Sequence, residues 1–208
     1  MSRKVLRDEA GMFLLAGTIT TAFVGTYTVW AINKHPAARE KLAEELKGID
    51  WDLTEAKLSD LPYLTAVIRE SLRLYGLASV GAPRVVPKGG RQLGPYFFPA
   101  GTVVTTFPYT VHRDPAVFKN PLAFEPERWL NPTKEMESAM LAFGGASRVC
   151  IGRNLAMMEL RIIVAAMLKE CPNMSLADSC TDESMELEEF GALLPKARRC
   201  ELQLKLEV

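Results

Sequence analysis

From Ala10 to Asn33 no residue carries a charge, while Arg3, Lys4 and Arg7 precede the run and Lys34 follows it. A helix that crosses a bilayer needs about 20 such residues, so the segment is long enough to span one. A long helix buried inside a protein fits the same pattern. A secretory signal fits less well, because the uncharged run is too long for its apolar region and no small-residue cleavage site follows. Gly11, Gly17 and Gly25, with Thr18, Thr20, Thr21, Thr26 and Thr28, dilute the apolar character. Lipid-facing spans favour Leu, Ile, Val and Phe instead.

The rest of the chain is ordinary globular material. Of 208 residues, 48% are apolar and 24% charged, enough to bury a core and to exclude disorder as the main state. Lys+Arg and Asp+Glu number 25 each. No basic field exists to hold a nucleic acid through its phosphates. The four cysteines, Cys150, Cys171, Cys180 and Cys200, form no CxxC pair, and the two histidines, His35 and His112, stand far apart. That spacing argues against a disulfide scaffold and against structural zinc. Reduced thiols in an intracellular compartment are the expected state.

The residue pattern predicts a helix from Asp8 to about Asn33, broken at Lys34-His35-Pro36, then a charged surface helix from Pro36 to about Lys47. Asp60 reads as the N-cap of a third helix. Its Leu64, Val67, Ile68, Leu72 and Tyr75 mark one buried face, and Gly76 ends it. Residues 80–110 read as short strands at Val85-Val86, Tyr96–Phe98 and Thr102–Phe107, punctuated by Pro and Gly. Residues 112–149 read as a long loop, with Pro115, Pro121, Pro126 and Pro132. A helix comes next, from about Ile151 to Lys169, then an acidic, loop-like stretch over 175–190. A period-two strand is expected at Leu202, Leu204, Leu206 and Val208.

One motif carries chemistry. In Phe143-Gly144-Gly145-Ala146-Ser147-Arg148-Val149-Cys150-Ile151-Gly152 a glycine-rich loop delivers a cysteine to the start of a helix. Backbone N–H groups, the helix dipole and Arg148 favour a thiolate there. Such a thiolate is a nucleophile, a redox thiol or a metal ligand, and a buried structural cysteine is the plain alternative.

The stretch resembles the haem-binding loop of the cytochrome P450 family, with Phe143, Arg148, Cys150 and Gly152 in register. Ala146 departs from the usual glycine, at a cost of about 1 kcal/mol if the position needs positive φ. Three further elements resemble the family. Glu70-Ser71-Leu72-Arg73 matches its Glu-x-x-Arg helix, and Pro126-Glu127-Arg128-Trp129 its Pro-Glu-Arg element. Ala16-Gly17-Thr18-Ile19-Thr20-Thr21 matches the helix across the distal haem face, with Ile19 where an acid is usual.

The resemblance implies an α+β fold, mainly helical with small sheets, representing the C-terminal part of the family fold in a single domain over 1–208. Its segments would be a distal helix over 8–33, the Glu-x-x-Arg helix over 60–75 and a sheet region over 80–110. The Pro-Glu-Arg and cysteine loops over 112–152, a proximal helix over 151–169 and a strand region over 191–208 would complete it. It implies haem b held by Cys150, propionates paired by Arg84 and Arg148, and Phe143 in the cofactor loop. Thr20 would be the catalytic hydroxyl that holds dioxygen and relays protons. Glu70, Arg73 and Arg128 would form a structural ionic triad, Arg128 bidentate to Glu70. His112 is expected as loop structure and His35 as a surface cap.

The function implied is a monooxygenase that inserts one oxygen atom from dioxygen into an apolar small molecule. Electrons would come from an NADPH-cytochrome reductase. The sequence style is closest to filamentous-fungal enzymes of secondary metabolism, at the endoplasmic reticulum membrane, with residues 10–33 a candidate span in place of the usual anchor. Against this stand a non-catalytic remnant and a small membrane-anchored protein. The implied fold favours a buried distal helix over a span, and a chain with only part of the fold is expected to hold haem poorly on its own.

Overall fold

The computed structural model describes residues 2–50, 53–77, 81–189 and 192–204. Helix α1 (Arg3–Lys34) starts five residues earlier than the sequence pattern suggests. Ser2 caps it, its hydroxyl accepting the Val5 N–H at 3.3 Å. The threonines are tolerated because their hydroxyls bond back into the helix. Thr20 donates to the Ala16 carbonyl at 2.7 Å, Thr26 to Ala22 at 2.8 Å and Thr28 to Val24 at 2.7 Å. His35 ends the helix with its own N–H and ring Nδ1 on the Ala31 carbonyl.

Helix α2 (Pro36–Leu46) and the short α3 (Glu55–Ser59) lead to α4 (Pro62–Tyr75). The sequence does not announce α3. Asp60 is not the N-cap of α4; it ends α3, and Leu61 takes the cap position without a side-chain bond. The carboxylate of Glu45, from α2, instead accepts the Tyr63 and Leu64 N–H groups at 2.8 Å each. A carboxylate from a neighbouring helix satisfies the orphan donors and meets the positive end of the dipole. Gly76 follows α4 because a Cβ there would fall 2.6 Å from the Leu72 carbonyl oxygen.

The sheets are all two-stranded and antiparallel among the described residues. Strand β1 (Arg84–Val85) pairs with β4 (Val103–Val104), and β2 (Arg91–Leu93) with β3 (Tyr96–Phe98). The expected strand over Thr102–Phe107 shrinks to β4, since α5 (Pro108–Val111) begins right after Phe107. The proline-rich stretch after His112 is less irregular than its sequence suggests. It contains a 3-10 turn (Pro126–Trp129), α6 (Lys134–Ala139) and a second 3-10 turn (Ala146–Arg148). Helix α7 (Arg153–Glu170) comes after them. Strand β5 (Met174–Leu176) pairs with β8 (Leu202–Leu204), and β6 (Leu187–Glu189) with β7 (Leu193–Pro195). The acidic stretch therefore carries strand pieces. Leu206 and Val208 lie outside the described residues.

The core forms where the C-terminal half of α1 meets α2, α4 and α7. Tyr27, Ile32, Leu42, Leu64, Val67, Ile68 and Val164 are fully buried there. The Tyr27 ring stacks on Tyr75 at 4.7 Å, and its hydroxyl donates to the Met185 carbonyl at 2.9 Å. Gly25 faces α7, where even an added Cβ would meet Leu160 at an ordinary contact distance of 3.7 Å. Residues 3–20 of α1 are exposed throughout. The expectation of a helix buried along its length therefore holds only from Thr21 onward, because no other described element packs on the first half. The architecture is mainly helical with small sheets.

Candidate functional site

Glu70 and Arg73 lie one turn apart on α4, so their side chains share a face. Both are fully buried, and they make a two-point contact: Arg73 Nε donates to Glu70 Oε2 at 2.9 Å and Nη2 to Oε1 at 2.7 Å. Arg128 adds one bond, Nε to Glu70 Oε1 at 3.1 Å, and turns its Nη2 to Glu125 at 2.9 Å. The bidentate partner of Glu70 is thus Arg73 and not Arg128, because the Pro126–Trp129 turn presents Arg128 edge-on and leaves Glu125 within its reach. Trp129 Nε1 donates to Glu70 Oε2 at 2.8 Å, and the Glu125 N–H to Oε1 at 3.0 Å. Arg73 directs its remaining donors to the carbonyls of His112, Pro121 and Ala123, at 2.7, 2.6 and 3.0 Å. Every Arg73 N–H has an acceptor, which is what lets a charge this deep persist.

His112 joins this knot to the cysteine loop. It is 2% exposed. Its Nδ1 bonds the Arg73 carbonyl at 3.0 Å, and its Nε2 accepts the Leu141 N–H at 2.9 Å. The Arg73 carbonyl has no proton to give, so Nδ1 carries the ring proton and the imidazole is neutral. Burial, followed by the charges of Arg73 and Arg113, pushes its pKa from 6.5 down to about 4, against the raising effect of the carbonyl bond and Glu70.

Two residues beyond Leu141 the cysteine loop begins. The Gly144 N–H bonds the Leu141 carbonyl at 2.8 Å, and the Cys150 N–H bonds the Phe143 carbonyl at 2.9 Å, closing the loop at its base. Gly144 has φ +72°, the left-handed geometry that glycine tolerates. Ala146 opens a right-handed 3-10 turn, so the family's glycine is not needed there for a positive φ. Cys150 is exposed, with its sulfur 3.8 Å from where a Cβ on Gly152 would lie. Helix α7 starts at Arg153, whose N–H bonds the Cys150 carbonyl at 3.3 Å.

A cavity of about 560 Å³ is bordered by both Arg84 and Arg148, with Leu93, Val104, Leu141 and Gly144. Arg84 braces its guanidinium on the Ala82 and Pro83 carbonyls at 3.1 Å each. A second cavity of about 500 Å³ shares Gly144 and is bordered by Phe143, Val149, Arg153 and Arg161. Thr20 stands apart, exposed on the open half of α1, and its described hydrogen bond is the one to Ala16. The structure brings Glu70, Arg73 and Arg128 into contact and sets Arg84 and Arg148 around one cavity. Sequence reasoning missed Trp129 and Glu125 as Glu70 partners and His112 as a brace. The Trp beside Arg128 was the one signal that could have found the first of these.

The cytochrome P450 family model matches residues 1–200. The chain is 41% identical over 192 residues to cytochrome P450 monooxygenase orf2 of Aspergillus niger, covering 91% of this chain and 39% of that protein. It is 42% identical over 200 residues to cytochrome P450 monooxygenase aflV of Aspergillus parasiticus, covering 94% and 39%. With cytochrome P450 monooxygenase stcB of Emericella nidulans the identity is 38% over 200 residues, with the same coverages of 94% and 39%. The chain thus spans about 39% of the length of these relatives. A family match over nearly all of the sequence, the Glu70 knot and the cysteine loop included, establishes that the chain belongs to the cytochrome P450 family.

Proposed function

We propose that this chain carries the thiolate-ligand part of a haem monooxygenase, the C-terminal part of the family fold, with Cys150 as axial ligand of the haem iron. The observation that carries this reading is the setting of Cys150: an exposed sulfur on a loop closed at its base and braced through His112 to a buried ionic knot. Ligation by one thiolate needs one cysteine, so it does not depend on the clusters of three His, Cys, Asp or Glu that are missing among the described residues. Arg84 and Arg148 border a common cavity whose other walls are mostly apolar or glycine, Gly144 and Gly145 of the cysteine loop among them; Cys150 itself does not line it. Guanidinium groups match carboxylates in shape and charge, so this pair is suited to haem propionates.

Haem held this way supplies the reductive activation of dioxygen, and a thiolate ligand favours O–O cleavage. The chain's own residues do the rest. The Phe143 carbonyl holds the Cys150 N–H and so fixes the backbone from which the sulfur projects. The Thr20 hydroxyl donates to the Ala16 carbonyl, which leaves its oxygen lone pairs to accept a hydrogen bond and so to orient a water. Ile19 offers no such group, so water or Thr20 carries the proton there. Glu70, Arg73 and Arg128 hold the scaffold and do not react.

For the wider protein we propose an apolar small-molecule substrate in fungal secondary metabolism, with electrons from an NADPH-cytochrome reductase. The fungal monooxygenases at 38–42% identity support this. An intracellular place at the endoplasmic reticulum membrane is proposed with it. Helix α1 has the length and composition to cross a membrane. The test is the carbon monoxide difference spectrum of the reduced chain with haem in excess. The thiolate-type Soret band should be present in wild type and absent in Cys150→Ser. A band retained by the variant would overturn the assignment.

A further inference from the structure

Cys180 and Cys200 lie outside every element of the site above, yet their sulfurs stand 3.6 Å apart. Their approach follows from the backbone. The β5–β8 ladder ends at Leu176 opposite Leu202. It is extended by one bond, from the Ala177 N–H to the Glu201 carbonyl at 3.0 Å. The chain then turns back, the Cys180 N–H bonding the Ala177 carbonyl at 2.9 Å. The Ser179 hydroxyl also reaches the Glu201 carboxylate. The two cysteines are therefore held face to face at the neck of a loop that runs from one to the other. That loop carries the β6–β7 hairpin and fastens to the body through Tyr27 to Met185 and through the Leu193 N–H to the Leu77 carbonyl at 3.1 Å.

We propose that Cys180 and Cys200 form an oxidisable pair that low-molecular-weight disulfides, of which glutathione disulfide is the type, convert to an intramolecular disulfide locking the neck of this loop. A disulfide has its sulfurs about 2.05 Å apart, so closure requires a movement of about 1.5 Å. Side-chain rotation and a small shift of the turn after β5 can supply it. The reaction is thiol–disulfide exchange. The Cys180 thiolate attacks one sulfur of the oxidant, whose S–S bond breaks, and the released thiolate takes up a proton. Cys200 then loses its proton to water and attacks the Cys180 sulfur, expelling the second small thiol. Two protein thiols are oxidised and one small disulfide is reduced to two thiols.

The order follows from the surroundings. Burial, then the hydrogen bond and charge of Cys180, pushes the Cys200 thiol up to about 12. A thiol held protonated in this way is a poor first nucleophile. Once Cys180 is tied up in the mixed disulfide, its hydrogen bond and its charge no longer act, and Cys200 ionises more readily. None of this depends on haem or on the proposed monooxygenase function.

The experiment is incubation of the full chain with glutathione disulfide, followed by acid quench, alkylation and mass spectrometry of a non-reduced digest. The expected result is a linked peptide pair containing Cys180 and Cys200, a mass loss of two hydrogens, and reversal by dithiothreitol. Cys150 and Cys171 should be recovered alkylated. Cys200→Ser should accumulate glutathione on Cys180, and neither single variant should form the internal link. No linked peptide in wild type, or links to Cys150 or Cys171 instead, would overturn the proposal.

Discussion

Residues 3–20 of α1 are exposed at every position, whereas Val24, Tyr27, Val29, Trp30, Ala31 and Ile32 of the same helix are at most 7% exposed. Composition does not separate the halves: Met12, Phe13, Leu14 and Leu15 are as apolar as Val24, Val29 and Ile32. Neighbours separate them. The second half lies against α2, α4 and α7, and the first meets no other described element. Around Glu70 the contrast is sharper still, since every polar atom of the Glu70–Arg73 pair is matched inside the chain. One end of the molecule closes on itself and supports the cysteine loop. The other presents a helix whose apolar side chains face outward.

Removing a member of the knot should have the largest effect. Glu70→Ala leaves Arg73 buried without its counter-charge and strands Trp129 Nε1. A loss of about 3–5 kcal/mol is expected, read as a collapse of the urea midpoint or as insoluble protein. A loss under about 1 kcal/mol would break the comparison.

Acid should act next, through His112. The folded protein binds its proton only near pH 4, whereas an unfolded histidine binds one near 6.5. The stability His112 contributes is therefore full above about 6.5 and is lost as pH falls toward 4, a change of about 3 kcal/mol. Urea unfolding between pH 7 and 4 should show this slope, and His112→Gln should flatten it. Identical slopes in the two proteins would show that His112 is not the group responsible.

Trp129→Phe should cost about 1.5–2 kcal/mol, because it deletes one hydrogen bond to a buried carboxylate while keeping most of the ring. At the open end, Leu14→Ser and Leu15→Ser should change stability by less than about 0.5 kcal/mol. A loss several times larger would mean that something covers this face in solution.

The same contrast governs what could be read from the sequence. The buried face of α4 was legible because Leu64, Val67, Ile68 and Leu72 recur at helical spacing within one segment. Its cap was not, because Glu45 reaches it from α2 and no local pattern marks a carboxylate that will act on another helix. Proline spacing suggested a loop after His112, and local capping by Thr133 with a 3-10 turn at Pro126 built short helices inside it. Glu70, Arg73 and Arg128 stood out by motif. The carbonyls of His112, Pro121 and Ala123 that complete Arg73 carry no side-chain signature at all. The helical period of α1 was visible, but which half would be buried depended on neighbours distant in sequence.

Hydrogen exchange across α1 tests the account most directly. Amides of residues 24–32 should open only with the global unfolding of a domain stable by several kcal/mol, and so exchange at least about 10³-fold more slowly than those of residues 6–18. The latter sit in a helix with no described neighbour and should fray readily. Uniformly slow exchange along the whole helix would contradict the division between a closed and an open end.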